Sequence, residues 1–482
     1  MLPDAFQRCA AAVARPASAR VIGGGGVALR RLLAVSACTA LLGCGAAEPP
    51  SGDASQPSAS NGDVSAGPVA QTLRVAAVYD DERIGVHFEF PTEQPSWYHQ
   101  YWVRERGEWV RRGSGADGPD PDGFYEDRIS MLLDDGSVEG FDRFGGWMTA
   151  HDGMRSLPDA LPPEEVGAHP VLGAQMGRRD VRKYLPQTRE VEDPAMPSWD
   201  ALVDDERLEA LRDAGAFLDL WQWRAHRSHP VGYADNGYVL HYRLASAGRG
   251  SFADNVDPET GGPARMFDAS VVDGHALSVE RLQAREYSQE DIYFLSENNS
   301  VPYDPDVDWK DGDAIPHRLL REPDGSRGAI RATGRWHDGA WRIVLTRSLA
   351  APDLRDSKAL VPGHRYTVAF AVHTGATGAR WHLVTLPQVL ALGDDPNADL
   401  RARSVDDVDA PGELDWTVLE LVSPGTVTWQ WLHDAHPGGD LIRDGRLGMR
   451  DVHDAATLPA LIDDAGHAGN AGSLEPAESE AE

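Results

Sequence analysis

The 482-residue chain is poor in cysteine, and its three thiols, Cys9, Cys38 and Cys44, all fall within the first 44 residues. Beyond that point the sequence excludes disulfides, thiolate metal sites, a cysteine nucleophile and any cofactor attached through thioethers. Positive charge is scarce as well. Forty-five Lys and Arg face 76 Asp and Glu, a net charge of −31, and such a surface repels nucleic acid and anionic lipid. No segment approaches the run of about 20 apolar residues that a membrane-spanning helix needs. Catalytic signatures are also missing: there is no Walker loop, no Gly-x-Ser-x-Gly elbow, no His-Glu-x-x-His and no dinucleotide fingerprint after a strand. Turnover is therefore not expected, because nothing supplies an acid or base with a substrate pocket.

What is present begins with a leader. Arg30 and Arg31 precede an apolar run from Leu32 to Leu42, followed by Gly43 and Cys44. A basic flank, a short greasy core and a small residue before the cut describe a secretory signal. Leu41-Leu42-Gly43-Cys44 resembles the lipobox of bacterial lipoproteins, which implies cleavage before Cys44, diacylation of its thiol and stable anchoring by several acyl chains. Residues upstream of Val27 add nothing to a signal, so Val21 or Val27 is the expected start. The leader (1–43) carries five Arg against one Asp, and its removal takes the charge to about −35. Gly45 after the lipid-bearing cysteine lacks the Asp that commonly favours inner-membrane retention. The expected location is the cell envelope, facing the periplasm or on the outer membrane.

Residues 44–71 are Ser, Pro, Ala, Gly and Asp without apolar period, the composition of a flexible tether. Alternation then predicts strands through Leu73, Val75 and Ala77, and through Ile84, Val86, Phe88 and Phe90, joined by a turn at Asp80 to Arg83. The same period marks Trp341, Ile343 and Leu345, and Tyr366, Val368, Phe370 and Val372. One helix is expected from Trp199 to Phe217 with Ser198 as N-cap. Short strands between long Gly, Asp and Pro loops predict a mainly β protein, a β-sandwich with long insertions and a few short helices. Its domain would span 72–400, followed by a segment at 401–463 and an acidic, disordered tail at 464–482.

Asp304, Asp306, Asp308, Asp311 and Asp313 have spacing that suits calcium but lack the bidentate Glu of an EF-hand, and read best as a solvated turn. The Trp221/Trp223 and Trp429/Trp431 triplets read as inward or interface-facing indoles. Arg128, beside Glu126 and Asp127, reads either as an internal ion pair or as an anion ligand. Two histidines stand in richer settings. His151 follows Trp147 and precedes Arg155; His382 follows Arg380 and Trp381. Imidazole, indole and guanidinium together suit a planar anionic macrocycle, although a histidine beside tryptophan is usually a hydrogen-bonded structural residue.

The stretch GFYEDRISMLLDDGSVEGFDRFGGWMTAHDGMRSLP from Gly123, with LDLWQWRAHRSHPVGYADNGYV from Leu218 and YTVAFAVHTGATGARWHLVTLP from Tyr366, resembles the haem-binding domain of the ethylbenzene dehydrogenase gamma-subunit family and its multihaem cytochrome relatives. Further matches at Lys183 to Pro186, Trp309 and Pro424 extend the likeness over nearly the whole mature chain. The resemblance implies a β-sandwich with one haem at the sheet edge, in a protein that passes electrons to a redox partner. His151 and His382 fall at the axial positions. Trp147 and Trp381 would pack on the ring, and Arg128, Arg155 or Arg380 would meet the propionates. Attachment cysteines of the c-type relatives are replaced by Gly146 and Ala150. In a second motif, pairing His436 with His453, they are replaced by Met449 and Val452. Haem would thus be non-covalent, of b type, or the domain would be a haem-free scaffold or partner-binding module. A carbohydrate-binding sandwich shares the expected architecture but needs an aromatic platform that the sequence does not offer.

Overall fold

A computed structural model describes residues 71–113, 119–190, 193, 196–378, 381–434, 436 and 438–454. The leader, Cys44 and the acidic tail lie outside the described residues, and none of the described helices is long and apolar enough to cross a membrane.

Ten strands form the frame: β1 (Gln71–Tyr79), β2 (Arg83–Pro91), β3 (Arg128–Asp134), β4 (Leu218–Arg224), β5 (Tyr233–Val239), β6 (Ile330–His337), β7 (Ala340–Ser348), β8 (Arg365–His373), β9 (Gln388–Leu392) and β10 (Leu400–Ser404). They follow one another in the order β6-β7-β2-β1-β10-β9-β8-β3-β4-β5, and β5 pairs back onto β6 through Ala234 with Ile330 and Tyr233 with Arg331. The sheet is therefore a closed barrel, not the expected sandwich. Alternation does not distinguish the two, since both bury one face of every strand. The deciding contact is a two-residue seam between strands far apart in sequence. Most pairings are antiparallel; β10 runs parallel to both β1 and β9.

Every strand predicted from alternation is present, with its apolar set inside. Leu73, Val75, Ile84, Phe88, Trp341, Ile343, Leu345, Val368 and Phe370 share one buried cluster with Ile129, Met131, Trp221 and Trp223. The barrel is filled by side chains. Gly334 on β6 makes room for that filling, because a Cβ there would stand 3.3 Å from the Trp223 ring. At one end Arg347 and Asp219, both fully buried, meet at 2.7 Å. At the other, the Asp127 carboxylate accepts from Trp341 Nε1 and from the Ser96 backbone N–H, each at 2.8 Å. The turn at Asp80 forms as expected, its carboxylate accepting from the backbone N–H groups of Glu82 and Arg83.

The predicted helix at Trp199 to Phe217 is shorter. It spans Asp205–Asp213, and Asp204, not Ser198, caps it by accepting from the Arg207 N–H at 2.8 Å. Trp199 instead lies in the loop, where its carbonyl accepts from Arg189. The boundary expected at 400/401 falls inside β10. The chain beyond it adds the strand Thr417–Leu421 to β1, then lays the short helices Trp429–Asp434, Gly439–Arg443 and Met449–Val452 on the outside of the barrel.

Candidate functional site

The outer face of β8, β3, β4 and β5 divides into an apolar half and a polar half. Because Ile129 and Met131 enter the core, Arg128 and Ser130 face outward; the inward Trp221 and Trp223 likewise turn Gln222 and Arg224 outward. Phe370 and Val372 do the same for His373, and Ala234 for Asp235. The register sets His373 opposite Arg128, Arg128 opposite Arg224, and Gln222 between Ser130 and Asp235. The other half of this face, with Leu132, Leu220 and Ala369, is covered by Phe144, Trp147, Trp429 and Leu432.

Two like charges directly opposite each other on neighbouring strands repel, so the arginines need partners. Arg224 pairs with Asp235 at 3.0 Å, and Arg327 shares that carboxylate at 2.8 Å. Glu126, fully buried, pairs with Arg227 and accepts from the backbone N–H groups of His226 and Arg227. Arg128 thus has neither neighbouring acid as its partner. It donates to the Thr377 carbonyl at 3.1 Å and lies 4.8 Å over the Tyr125 ring, while its buried Nε lacks a hydrogen-bond partner. Arg243 donates to Gln222 Oε1 at 2.5 Å, the same oxygen that accepts from Arg224. Burial, with repulsion from Arg224 and Arg182, pushes Arg243 down to about 9, and burial holds Arg224 at about 10.

His151 and His382 sit in different surroundings. His151 is fully buried, its ring stacked on Tyr184 at 3.6 Å and 7° between planes, and its Nε2 donates to the Tyr184 carbonyl at 2.9 Å. That bond fixes the tautomer and leaves a lone pair on Nδ1. Gln430 stands close enough to favour the charged ring without completing a hydrogen bond to Nδ1, which is buried and unpartnered. Burial pushes the imidazole down to about 3, so it is neutral. His382 is half-buried with its ring stacked on His373 at 4.5 Å, at the edge of the polar row. Trp381 beside it is 58 % exposed.

The profile of the family described as ethylbenzene dehydrogenase matches residues 49–385. The chain belongs to that family. Among curated proteins there is no match.

Within the span matched to the ethylbenzene dehydrogenase family lie His151, His382 and the polar row, whereas His436 and His453 lie beyond it. Trp147 is buried, donates to the Pro424 carbonyl and has the His453 ring 5.1 Å away; His436 instead stands 4.4 Å from Trp431 and accepts from the Gly438 N–H. Arg155 reaches Asp180 at 3.4 Å and lines a cleft of about 710 Å³ with Arg178, Arg182 and Asp180. Arg380 lies outside the described residues. The acidic loop is engaged with backbone: Asp304 accepts from the Asp306 N–H, Asp311 from Gly107 and Asp313 from Lys310.

Gln222, Arg224, Arg243 and His373 escaped the sequence reading. A signal for the first two was present, since polar residues alternate with the tryptophans in Trp221-Gln222-Trp223-Arg224, and alternation places them together on the opposite face.

Proposed function

We propose that this chain is a lipid-anchored envelope protein of the ethylbenzene dehydrogenase family that binds one non-covalent haem and carries single electrons between a redox enzyme and a chain partner. The observation that carries the reading is the buried, unpartnered Nδ1 of His151. An iron-ligating imidazole characteristically donates its other N–H to a carbonyl, which fixes the ring and raises the basicity of the ligating nitrogen; the bond from Nε2 to Tyr184 has that form. His382, stacked on His373 at the edge of the polar row, is the second candidate ligand. Bound haem would supply one-electron chemistry, and bis-imidazole ligation would hold its potential below that of a methionine-ligated site. This chain's residues would orient the ring and exclude water from it. Cys44 is the proposed lipid attachment.

Buried Trp147, committed to Pro424, favours a second reading in which the domain is a haem-free adaptor that positions redox partners. Absorption spectra separate the two. Protein produced with ample haem should keep a Soret band through gel filtration, and His382→Ala should shift or abolish it at unchanged melting temperature. A colourless protein, or a band indifferent to both His382→Ala and His151→Ala, would leave the adaptor reading.

A further inference from the structure

A protein with a strong negative charge concentrates arginine where it is most costly, on a covered face of its barrel. Arg128, Arg224 and Arg243 converge there around acids that other arginines already engage: Asp235, which Arg224 shares with Arg327, and Glu126, within electrostatic reach of Arg128 and Arg224 but paired with Arg227. Gln222 Oε1 takes hydrogen bonds from two guanidinium groups at once. A neutral amide oxygen between two cations is a poor counter-charge, since a buried charge needs an opposite charge as well as hydrogen bonds. The unpartnered Nε of Arg128 is a donor still to be used. Arg155 and Arg182 line the open cleft; Arg182 is within electrostatic reach of Arg243, and Arg155 of the Tyr125 ring on which Arg128 lies.

We propose that Arg128, Arg224 and Arg243 form a buried receptor for an oxyanion, a carboxylate or phosphate group, which enters through the cleft at Arg155 and Arg182 and takes the place of the Gln222 amide oxygen. Arginine forks match both groups in bidentate geometry. The receptor goes beyond the haem reading, because a free oxyanion satisfies it as well as a haem propionate does.

The test uses the haem-free, full-length mature protein, melted in inorganic phosphate against sodium chloride of equal ionic strength. Phosphate should raise the melting temperature by several degrees, and Arg243→Gln should remove that rise. Gln222→Glu keeps the shape and brings the anion with it, so it should melt higher than the parent in chloride and gain nothing from phosphate. A phosphate effect no larger than that of chloride, or one that survives in Arg243→Gln, overturns the receptor. So does a Gln222→Glu protein that melts lower than the parent. The source of the oxyanion follows from haem and its dimethyl ester, whose propionates are blocked. If haem abolishes the phosphate rise and the ester does not, the anion is a propionate; if neither does, it is a free oxyanion. A protein that shows the phosphate rise but no Soret band would sink the haem reading and leave the receptor standing.

Discussion

His151 and Tyr184 lie face to face, ring centroids 3.6 Å apart, and the imidazole donates to the carbonyl of the residue on which it stacks. Arg189 covers Tyr184 at 3.7 Å, so the three side chains form a buried layer between the loop after Trp147 and the loop before β4. His151→Ala would open a cavity and strand a buried carbonyl, at a cost of about 2–4 kcal/mol. Urea unfolding of the haem-free protein checks this. A variant as stable as the parent would show that the layer contributes nothing to folding.

Acid should weaken the fold well above the carboxylate range. His151 is held at about 3, and His226, His229, His241 and His317 at about 4, each chiefly by burial. All are depressed below the ordinary value of 6.5, so the unfolded chain binds protons that the folded one refuses. The stability they give is present above pH 6.5 and is lost as pH falls towards 4, at up to about 1.4 kcal/mol per pH unit for each histidine. Unfolding free energies at pH 7.5, 6, 5 and 4 should decline from the first step; a plateau down to pH 4.5 would contradict the assignment.

Asp127 titrates in the opposite sense. Burial raises it to about 7, against the two hydrogen bonds from Ser96 and Trp341. A carboxyl raised above its unfolded value favours the fold fully below about pH 4, and that contribution fades as pH climbs through 7. Asp127→Asn keeps an acceptor oxygen and cannot ionise. Its stability relative to the parent should therefore improve by roughly 1–3 kcal/mol between pH 4 and pH 8. Paired denaturation curves at those two values test it, and a difference independent of pH would refute it.

Arg347 and Asp219 close one end of the barrel, with Arg347 also donating to the Lys358 carbonyl and lying 4.4 Å over Trp221. Removing one member of so buried a pair leaves the other charge without its counterpart. Arg347→Met should cost about 3–5 kcal/mol, and the double variant with Asp219→Asn should recover much of that. Additive losses in the double-mutant cycle would mean that the two charges do not compensate each other.

Much of the frame was legible because a half-buried strand repeats every two residues. Leu73 to Ala77, Ile84 to Phe90, Trp341 to Leu345 and Tyr366 to Val372 announce which side is buried without any knowledge of what lies across from them. The helix near Trp199 was legible in existence and not in extent, because the start at Asp204 depends on a loop whose Trp199 carbonyl serves Arg189. Arg128 was visible as a charge beside two acids, yet Glu126 and Asp127 turn to Arg227 and to Ser96 and Trp341. Sequence proximity does not choose an ion-pair partner; direction along the strand does.

By itself the sequence determined the confinement of cysteine to the first 44 residues, the excess of acid, the inward face of four of the barrel's strands and, through its motifs, the family. These are properties of composition and of local period, which need no distant partner. Tertiary structure alone decided that the sheet closes, through Ala234 and Tyr233 meeting Ile330 and Arg331, and that His373, Arg128, Arg224 and Arg243 share one face. Both outcomes join residues some twenty to more than two hundred positions apart, and register between strands is fixed by the packing of the whole core rather than by any segment within it.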